Sequence, residues 1–379
     1  MEWEITFSDL CYGDAERRAV DEVLACRWLT MGPRVSEFEQ ALSQRLGGAH
    51  VVAVSSCTAA LHLALLALSI GPGDEVIVPS LTFAATANVA AMCGAKPVFA
   101  DVVSSQEPTI DPAHVRSLVT EQTRAIIPVH YGGVSCRMFD LLAIATCGER
   151  QIAVVEDAAH AFGGEGGTGR PLGTIGAAGA FSFFSNKNLA TGEGGAAVTN
   201  DPALAAKIRR MRSHGLDSST WTRHKGGGGG AYDVIEPGLN YRPSEITAAL
   251  GLAQLAKFDA LQSKRKRLHE TYVEALKGME SLTIPFEGLA TEGRRAYHLF
   301  PVLFADATAR DRAADCLRDA RIQTSHHYRP LHTMSAYRDA TLSLPKTEEF
   351  AARELSLPFH PNMTDSDVEL VVQTIRWSL

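Results

Sequence analysis

The sequence lacks the features that would place the protein in or across a membrane. Its longest apolar stretch, residues 59–70, contains His62 and falls well short of the ~20 apolar residues that a helix needs to span a bilayer. The opening residues Met-Glu-Trp-Glu carry acids where a secretory signal peptide would carry positive charge and then an apolar segment. We therefore expect a cytoplasmic protein with no membrane partner.

The sequence also lacks paired cysteines and long basic stretches. Its seven cysteines form no Cys-x-x-Cys pair, and the odd number leaves one over, which argues against a disulfide framework and a structural zinc site. The net charge is -7, and the one basic cluster, residues 264–267, lies in a helical pattern where a solvated face is the better interpretation. Nucleic acid is therefore not an expected partner.

What the chain does contain is a soluble α/β pattern. Hydrophobic residues make up 45% of the 379 residues, which is enough for a large domain plus a smaller one. Helical patterns separate the earlier β-rich runs, whereas the last two runs are joined without room for a helix. This predicts a mostly parallel seven-stranded sheet with one antiparallel member. The predicted strands are residues 51–54, 75–78, 97–99, 125–129, 152–155, 178–184 and 195–199.

Helix signals and composition changes suggest where the chain divides. Asp111 and Asp201 each precede a proline, a typical helix start, and Thr364 opens the last helix. Residues 244–279 predict one long helix or two joined helices, and we place the domain boundary inside them. We thus expect a large domain at 1–255 and a smaller α/β domain at 256–379. The five glycines at 226–230 predict a mobile loop or a segment ordered by substrate.

One lysine and one carboxylate carry the first functional hypothesis. Lys187 sits among small and polar residues that cannot hide its charge in a core, and Asp157 follows a buried apolar run. Pyridoxal 5'-phosphate needs this pair, because a lysine holds its aldehyde as a Schiff base and a carboxylate keeps its pyridine nitrogen protonated. The sequence therefore predicts a site for this cofactor.

Three further motifs leave alternatives open at this stage. Residues 55–58 join a strand to a helix and could bind a phosphate with free N–H groups, or Ser56 or Thr58 could only cap the helix. The histidines within 326–332 suggest a metal site, although no third ligand has a convincing spacing, so no metal is predicted. Residues 164–169 match Gly-x-Gly-x-x-Gly, but no helix or ribose-binding acid follows, which favours a surface hairpin over a dinucleotide site.

Five blocks resemble the sugar aminotransferases of the DegT/DnrJ/EryC1/StrS family, within fold-type I of the pyridoxal-phosphate enzymes. Their order and spacing match from about residue 28 to the C-terminus. The blocks are Ser-Cys-Thr-Ala-Ala-Leu at 56–61, Pro-Ser-Leu-Thr-Phe at 79–83, Glu-Asp-Ala-Ala-His at 156–160, the segment 182–195 around Lys187, and Gly-Leu-Asn-Tyr-Arg at 238–242. This resemblance implies the fold-type I architecture with a smaller C-terminal α/β domain.

The resemblance also implies residue roles. It assigns the phosphate to Cys57, Thr58 and Ser182, with Cys57 standing where many relatives carry glycine or alanine. Around the ring it implies Phe83 for stacking, Asp157 for the ring nitrogen, His160 near the ring and its hydroxyl, and Lys187 for the imine. It further implies that Asn240 reaches the neighbouring subunit's phosphate, hence a homodimer with shared sites, and that Thr30, His327 and Tyr328 border a sugar pocket. Without the resemblance, Phe83 would pass for core, Asn240 for a helix cap, and His160 for packing behind the ring.

The reaction that this resemblance implies is a two-stage transamination. L-Glutamate would give its nitrogen to the cofactor, and a nucleotide-linked keto sugar would receive it, with dTDP-4-keto-6-deoxyglucose aminated at C4 as the preferred acceptor. The alternatives are a 3-keto sugar, a keto-cyclitol, or a non-catalytic cofactor-binding regulator. Relatives that dehydrate sugars have lost the lysine, so Lys187 argues against that chemistry.

Overall fold

The computed structural model describes residues 2–147, 151–218, 221, 224, 232–291 and 293–379. The glycine run at 226–230 lies outside these residues. Within the described ranges, none of the helices has the length and apolar character required to cross a bilayer.

The described part of the chain contains two β-sheets. The larger has the strand order β1-β7-β6-β5-β4-β2-β3, and the smaller pairs β8 with β9. The strands are β1 His50–Val54, β2 Glu75–Pro79, β3 Lys96–Ala100, β4 Thr123–Ile126, β5 Ala153–Asp157, β6 Ala178–Ser182, β7 Gly195–Thr199, β8 Phe300–Leu303 and β9 Glu354–Leu357.

The larger sheet confirms the predicted mostly parallel architecture. Strands β2 to β6 pair in parallel, and β7 runs antiparallel to both of its neighbours, β6 and β1. β7 is the strand predicted to be joined to the preceding one without a helix. The α/β fold class is therefore confirmed.

Two strands end earlier than predicted. β4 stops at Ile126 instead of residue 129, because Pro128 has no N–H to donate to a neighbouring strand. β6 stops at Ser182 instead of residue 184, because the Phe184 carbonyl accepts the Lys187 N–H in the turn that carries the lysine.

Helices flank both sheets, and their starts follow the predicted caps. Asp111 and Asp201 accept hydrogen bonds from the first helical turns, and Thr364 and Asp367 form a reciprocal capping box. The helices are α1 Asp14–Cys26, α2 Pro33–Arg45, α3 Cys57–Ala67, α4 Ala85–Met92, α5 Pro112–Leu118, α6 Met138–Ala145, α7 Pro202–Met211, α8 Glu245–Ala256, α9 Phe258–Leu276, α10 Ala307–Asp319, α11 Pro345–Arg353 and α12 Asp365–Ser378, with short 3₁₀ turns at Tyr131–Gly133 and Leu331–Thr333.

The large sheet buries both of its faces. Along β1, Val52 and Val54 pack in the cluster that includes α3, whereas Val51 and Ala53 pack in the cluster that includes α2. This alternation is the two-residue period of a strand covered on both sides.

The smaller sheet has its own core. β8 and β9 pack with α9, α10 and α12, and Ile5 near the N-terminus joins the same cluster. The long helical stretch is two helices that meet at Lys257. A division into domains near residue 255 stays a prediction.

The glycine motif at 164–169 forms a hairpin. Glu165 pairs antiparallel with Pro171, and the Gly166 N–H donates to the Arg170 carbonyl. No helix begins there, so the interpretation of this motif as a hairpin is confirmed.

Parallel strands bring distant residues to one edge of the sheet. β1, β5 and β6 run in the same direction, so Val54, Asp157 and Ser182 end at the same side, where antiparallel β7 begins at Gly195. Ligands of open α/β sheets bind outside this carboxyl edge.

Gly195 allows the closest approach at this edge. A Cβ built there would lie 2.4 Å from the Ser56 carbonyl carbon and 2.6 Å from the Cys57 nitrogen. Both atoms belong to backbone, so they cannot move aside as a flexible side chain could. Any larger residue must therefore displace the turn between β1 and α3.

We expect Gly195→Ala to destabilise the protein by about 1–3 kcal/mol, because the added methyl overpacks a fixed backbone contact. The matched control is Gly71→Ala, whose Cβ would meet nothing closer than the Cys93 carbonyl oxygen at 3.9 Å. Thermal unfolding of both variants checks this. Equal midpoints for the two variants would contradict the packing argument.

Candidate active site

A cavity of about 380 Å³ lies at the carboxyl edge of the large sheet. It is bounded by the β1–α3 turn, the start of α4, the ends of β5 and β6, the turn that carries Lys187, and residues 327–328. The predicted site residues that line it are Cys57, Thr58, Phe83, Asp157, His160, Ser182, Lys187, His327 and Tyr328.

Two predicted site residues, Thr30 and Asn240, do not line this cavity. Both are exposed. Asn240 pairs with Ser213, and the adjacent Tyr241 carbonyl accepts the Ser55 N–H. Asn240 therefore lies beside the β1–α3 turn on the outer surface of its own chain.

The start of α3 forms the end of the cavity that is best suited to an anion. Ser56 caps the helix by accepting the Ala59 N–H at 3.1 Å, which leaves Cys57 and Thr58 in the first turn, at the positive end of the helix dipole. The two alternatives for this turn are therefore compatible, since Ser56 caps the helix while its next residues line the cavity. Ser182 lines the same cavity from the end of β6.

Lys187 is the cation of the site. Burial lowers the pKa of its amine to about 8, because the charged form is poorly solvated, while Asp157 partly opposes the shift. Its Nζ lies 3.4 Å from His298 Nε2. A buried amine whose pKa lies this close to neutrality can both take and release a proton.

A short chain of hydroxyls fixes Asp157. Its Oδ2 accepts from Thr86 Oγ1 at 2.8 Å, and its Oδ1 accepts from the Ala159 N–H at 3.2 Å. Thr86 Oγ1 is also 2.8 Å from Thr82 Oγ1, so Thr82 donates to Thr86 and Thr86 donates to the carboxylate. Burial raises the pKa of Asp157, and the Thr86 hydrogen bond opposes this rise.

His160 and Tyr328 form one wall. The Gly132 N–H approaches His160 Nδ1 at 3.4 Å, so the ring proton lies on Nε2, which donates to Tyr328 Oη at 2.9 Å. Burial lowers the pKa of His160 well below its usual value, so the ring is neutral. Phe83 is 63% exposed and lies 6.3 Å from the Tyr328 ring, which leaves its face open to a molecule in the cavity.

Two contacts of the site were not predicted from the sequence. His298, on the segment leading into β8, reaches Lys187 and donates from Nδ1 to Asn188 Oδ1 at 3.2 Å. Thr86 reaches Asp157 from α4. The four-residue spacing of Thr82 and Thr86 could have suggested a contact between their hydroxyls, but not the contact of Thr86 with Asp157. For His298, 111 residues from Lys187, the sequence offers no comparable signal.

The histidines of the C-terminal segment have separate environments. His327 lines the cavity, whereas His332 bonds Ser80 at 2.7 Å and Glu348 at 3.1 Å. Among the residues that the structure describes, three or more histidine, cysteine, aspartate or glutamate side chains nowhere gather in a way that could hold a metal ion.

Comparison with known proteins identifies the relatives of this arrangement. The model of the DegT/DnrJ/EryC1/StrS aminotransferase family matches residues 11–376. The spore coat polysaccharide biosynthesis protein SpsC of Bacillus subtilis is 41% identical over 372 residues, which cover 96% of this chain and 94% of SpsC.

The chain is also similar to solved structures of aminotransferases and related proteins. Helicobacter pylori PseC, an aminotransferase involved in the biosynthesis of pseudoaminic acid, superposes with a TM-score of 0.90 at 30% identity, covering 100% of this chain and 99% of PseC. DesI, solved in the presence of its TDP-sugar product, superposes with a TM-score of 0.87 at 32% identity, covering 99% of this chain and 92% of DesI.

The residues present fit the pyridoxal 5'-phosphate of these enzymes. Lys187 offers a buried amine and Asp157 a buried carboxylate in one cavity, and the N-terminus of α3 can take a phosphate. Asn186 Oδ1 at the cavity wall is buried without a hydrogen-bond partner in the described part of the chain, as expected of a wall that a polar ligand completes.

We expect Thr86→Val to weaken cofactor binding roughly tenfold, because the isosteric change removes the hydroxyl that donates to the Asp157 carboxylate. Titration of the apoprotein with pyridoxal 5'-phosphate, followed by absorbance, measures the change.

The matched control is Thr109→Val. Thr109 is equally buried, and within the described ranges its hydroxyl has no hydrogen-bond partner, so this variant should bind as the wild type does. Unchanged affinity in Thr86→Val would show that the hydroxyl chain does not support Asp157.

Proposed function

Because the chain belongs to the DegT/DnrJ/EryC1/StrS aminotransferase family, whose members are pyridoxal-phosphate-dependent sugar aminotransferases, we propose that it transfers nitrogen from L-glutamate to a nucleotide-linked keto sugar. The observation that carries the proposal is the buried Lys187 amine in one cavity with Asp157. A lysine amine whose pKa lies near neutral pH can both accept and donate a proton.

The preferred acceptor is dTDP-4-keto-6-deoxyglucose, aminated at C4. The likeness to DesI, whose structure was solved in the presence of its TDP-sugar product, supports this class of nucleotide sugar. A 3-keto sugar or a keto-cyclitol is the alternative acceptor, and a cofactor-binding regulator is the alternative without catalysis.

When bound, pyridoxal 5'-phosphate supplies an aldehyde that carries the nitrogen and a ring that spreads the electron pair released at the substrate carbon. Asp157 offers a fixed carboxylate for the ring nitrogen. Cys57, Thr58 and Ser182 would hold its phosphate, and Phe83 would offer an aromatic face to its ring.

Lys187 moves the proton in this scheme. Its free amine would take and hold the proton of the substrate carbon, with His298 Nε2 as the acceptor that orients it. Since its pKa is about 8, part of the amine is neutral near neutral pH and can act as a base. His160, His327 and Tyr328 line the wall beside it and are assigned to the cofactor and the sugar.

We also propose a homodimer with shared sites in the cytoplasm. Asn240 lies on the surface beside the phosphate turn, where a two-fold contact could carry it to the partner's cavity, and exposed Thr30 would serve the sugar pocket in the same way. All seven cysteines are free, which supports a reducing compartment.

The enzyme should be yellow, and borohydride should trap the cofactor on Lys187. We expect Lys187→Ala to be colourless and inactive, because Lys187 is the one lysine among the described residues that line the cavity, whereas Lys207→Ala, whose amine bonds the Ala67 carbonyl outside the cavity, should keep both colour and activity. Mass analysis of the trapped peptide and an assay with glutamate and a panel of nucleotide keto sugars and keto-cyclitols measure this.

The carbon that bears nitrogen in the product decides between the acceptors. Full activity in Lys187→Ala would reject the catalytic proposal, and a yellow wild type that aminates nothing in the panel would favour the regulator.

Subunit complementation tests the shared site. Lys187→Ala and Asn240→Ala should each be impaired alone, but co-refolded in equal amounts they should regain about a quarter of wild-type activity, because half of the dimers are mixed and each mixed dimer has one intact site. No recovery, although mixed dimers form, would place Asn240 in its own chain's site or in none.

A further inference from the structure

A buried carboxyl group lies behind the substrate wall and has no part in the chemistry described so far. Glu354 opens β9 and is 1% exposed. Two residues further along the strand, Ser356 lies on the same face, and the segment that carries His327 runs beside β9, where Ser325 pairs with Ser356.

Three hydrogen bonds join this carboxyl group to His327. Glu354 Oε2 accepts the His327 N–H at 2.9 Å, Glu354 Oε1 is 2.6 Å from Ser356 Oγ, and Ser356 Oγ is 2.9 Å from His327 Nδ1. Because Nδ1 is committed to Ser356, Nε2 is the ring nitrogen left for a molecule in the cavity.

The His327 ring is held firmly in this position. Phe7 stacks on it with centroids 5.5 Å apart, and Tyr131 Oη donates to the His327 carbonyl at 2.7 Å. A ring fixed on these sides cannot flip to exchange its nitrogens. The direction of the hydrogen bond between Ser356 and Nδ1 therefore decides whether Nε2 is a donor or an acceptor towards the cavity.

The direction of the hydrogen bonds from Glu354 through Ser356 to His327 depends on whether Glu354 is protonated. If Glu354 holds a proton, it lies on Oε1 and is donated to Ser356, Ser356 donates to Nδ1, and the His327 proton must lie on Nε2. If Glu354 is ionised, Ser356 donates to Oε1, Nδ1 donates to Ser356, and Nε2 becomes an acceptor.

The surroundings favour the protonated acid. No lysine or arginine pairs with this carboxylate in the described part of the chain, and its nearest ionisable nitrogen is His326 Nδ1 at 3.9 Å. A buried carboxyl group without a cation gains little from ionising.

We propose that Glu354 is a positioning residue which, through Ser356, keeps the proton of His327 on Nε2, so that the cavity wall offers an N–H donor to the carbonyl oxygen of the incoming sugar. This rests on the proposed function, since it deepens the acceptor side of the same site. Only the hydrogen bonds among Glu354, Ser356 and His327 and the position of their protons change; no covalent bond between heavy atoms forms or breaks.

The groups that face Glu354 do not titrate near neutral pH together with it. Burial raises the pKa of Glu354 to about 8, against the hydrogen bonds from Ser356 and His327 and the charge of Arg310. Burial lowers the pKa of His327 to about 3 and that of His326 below its usual value, and it raises the pKa of Tyr131 and Tyr328.

Glu354→Gln is the decisive variant, because its amide can donate to Ser356 and accept from the His327 N–H, as the protonated acid does. The test is to measure the glutamate step and the keto-sugar step separately, in single turnovers, from about pH 6.5 to pH 9. The keto-sugar step should match the wild type near pH 6.5 and exceed it roughly tenfold at pH 9, where only about a tenth of the wild-type acid keeps its proton. Ser356→Ala should slow this step roughly tenfold near pH 6.5 and leave it close to the wild-type rate at pH 9, because His327 is then no longer linked to the acid.

The glutamate step is the internal control, because general damage to the fold would slow both steps. Glu16→Gln is the matched variant, since Glu16 is buried and hydrogen-bonded but does not line the cavity. It should leave the pH dependence of the keto-sugar step as in the wild type. A ratio of Glu354→Gln to wild type that does not change with pH would overturn the proposal.

Unfolding gives a readout that needs no substrate. A carboxyl group protonated in the folded state and ionised in the unfolded state makes the wild type lose stability as pH rises from about 4.5 to about 8, and Glu354→Gln should remove this loss. Parallel stability curves would overturn the proposal even if no keto sugar is accepted. Failure of the whole acceptor panel together with the expected stability difference would reject only the proposed function.

Discussion

The buried amine of Lys187, at the carboxyl edge of the large sheet, limits which charges the groups around it can carry. Lys187 can stay buried only if its neighbours supply negative charge or neutral acceptors, because a second cation nearby would be repelled in a medium of low dielectric. Asp157 supplies the charge. The nearby imidazoles supply neutrality, since burial, followed by repulsion from Lys187, lowers the pKa of His160, His298 and His327.

This arrangement divides the cavity wall into proton donors and proton acceptors. His298 donates from Nδ1 to Asn188, so its Nε2 is left to accept from Lys187. His160 accepts the Gly132 N–H, so its Nε2 is left to donate to Tyr328. Backbone and amide partners behind each ring thus set the tautomer in front of it, and three neutral histidines can serve different ends of one site.

Much of the fold and of the cavity could be predicted from the sequence, because the information was local. Asp157 comes two residues after a buried apolar run, Ser182 lies near the end of another predicted strand, and a parallel sheet places strand ends at one edge. The caps of α5, α7 and α12 were readable for the same reason. What escaped prediction depends on long-range packing: the Thr86 contact with Asp157 joins residues 71 apart, and the Ser80 contact with His332 joins residues 252 apart. The ends of β4 and β6 were wrong where a proline and a turn overrode the apolar pattern.

The two ends of the cavity are held by different parts of the molecule. Asp157, Ser182 and the start of α3 are fixed by the large sheet, whereas the position of His327 is fixed by β9 of the smaller sheet through Glu354 and Ser356. Tyr328 bridges the two, because it follows His327 and bonds His160 beside β5. A shift of the smaller sheet would therefore alter the wall assigned to the sugar and the His160 contact, while leaving the Asp157 carboxylate and its threonines in place. Substrate selection can accordingly change along this chain without disturbing the groups that would hold the cofactor.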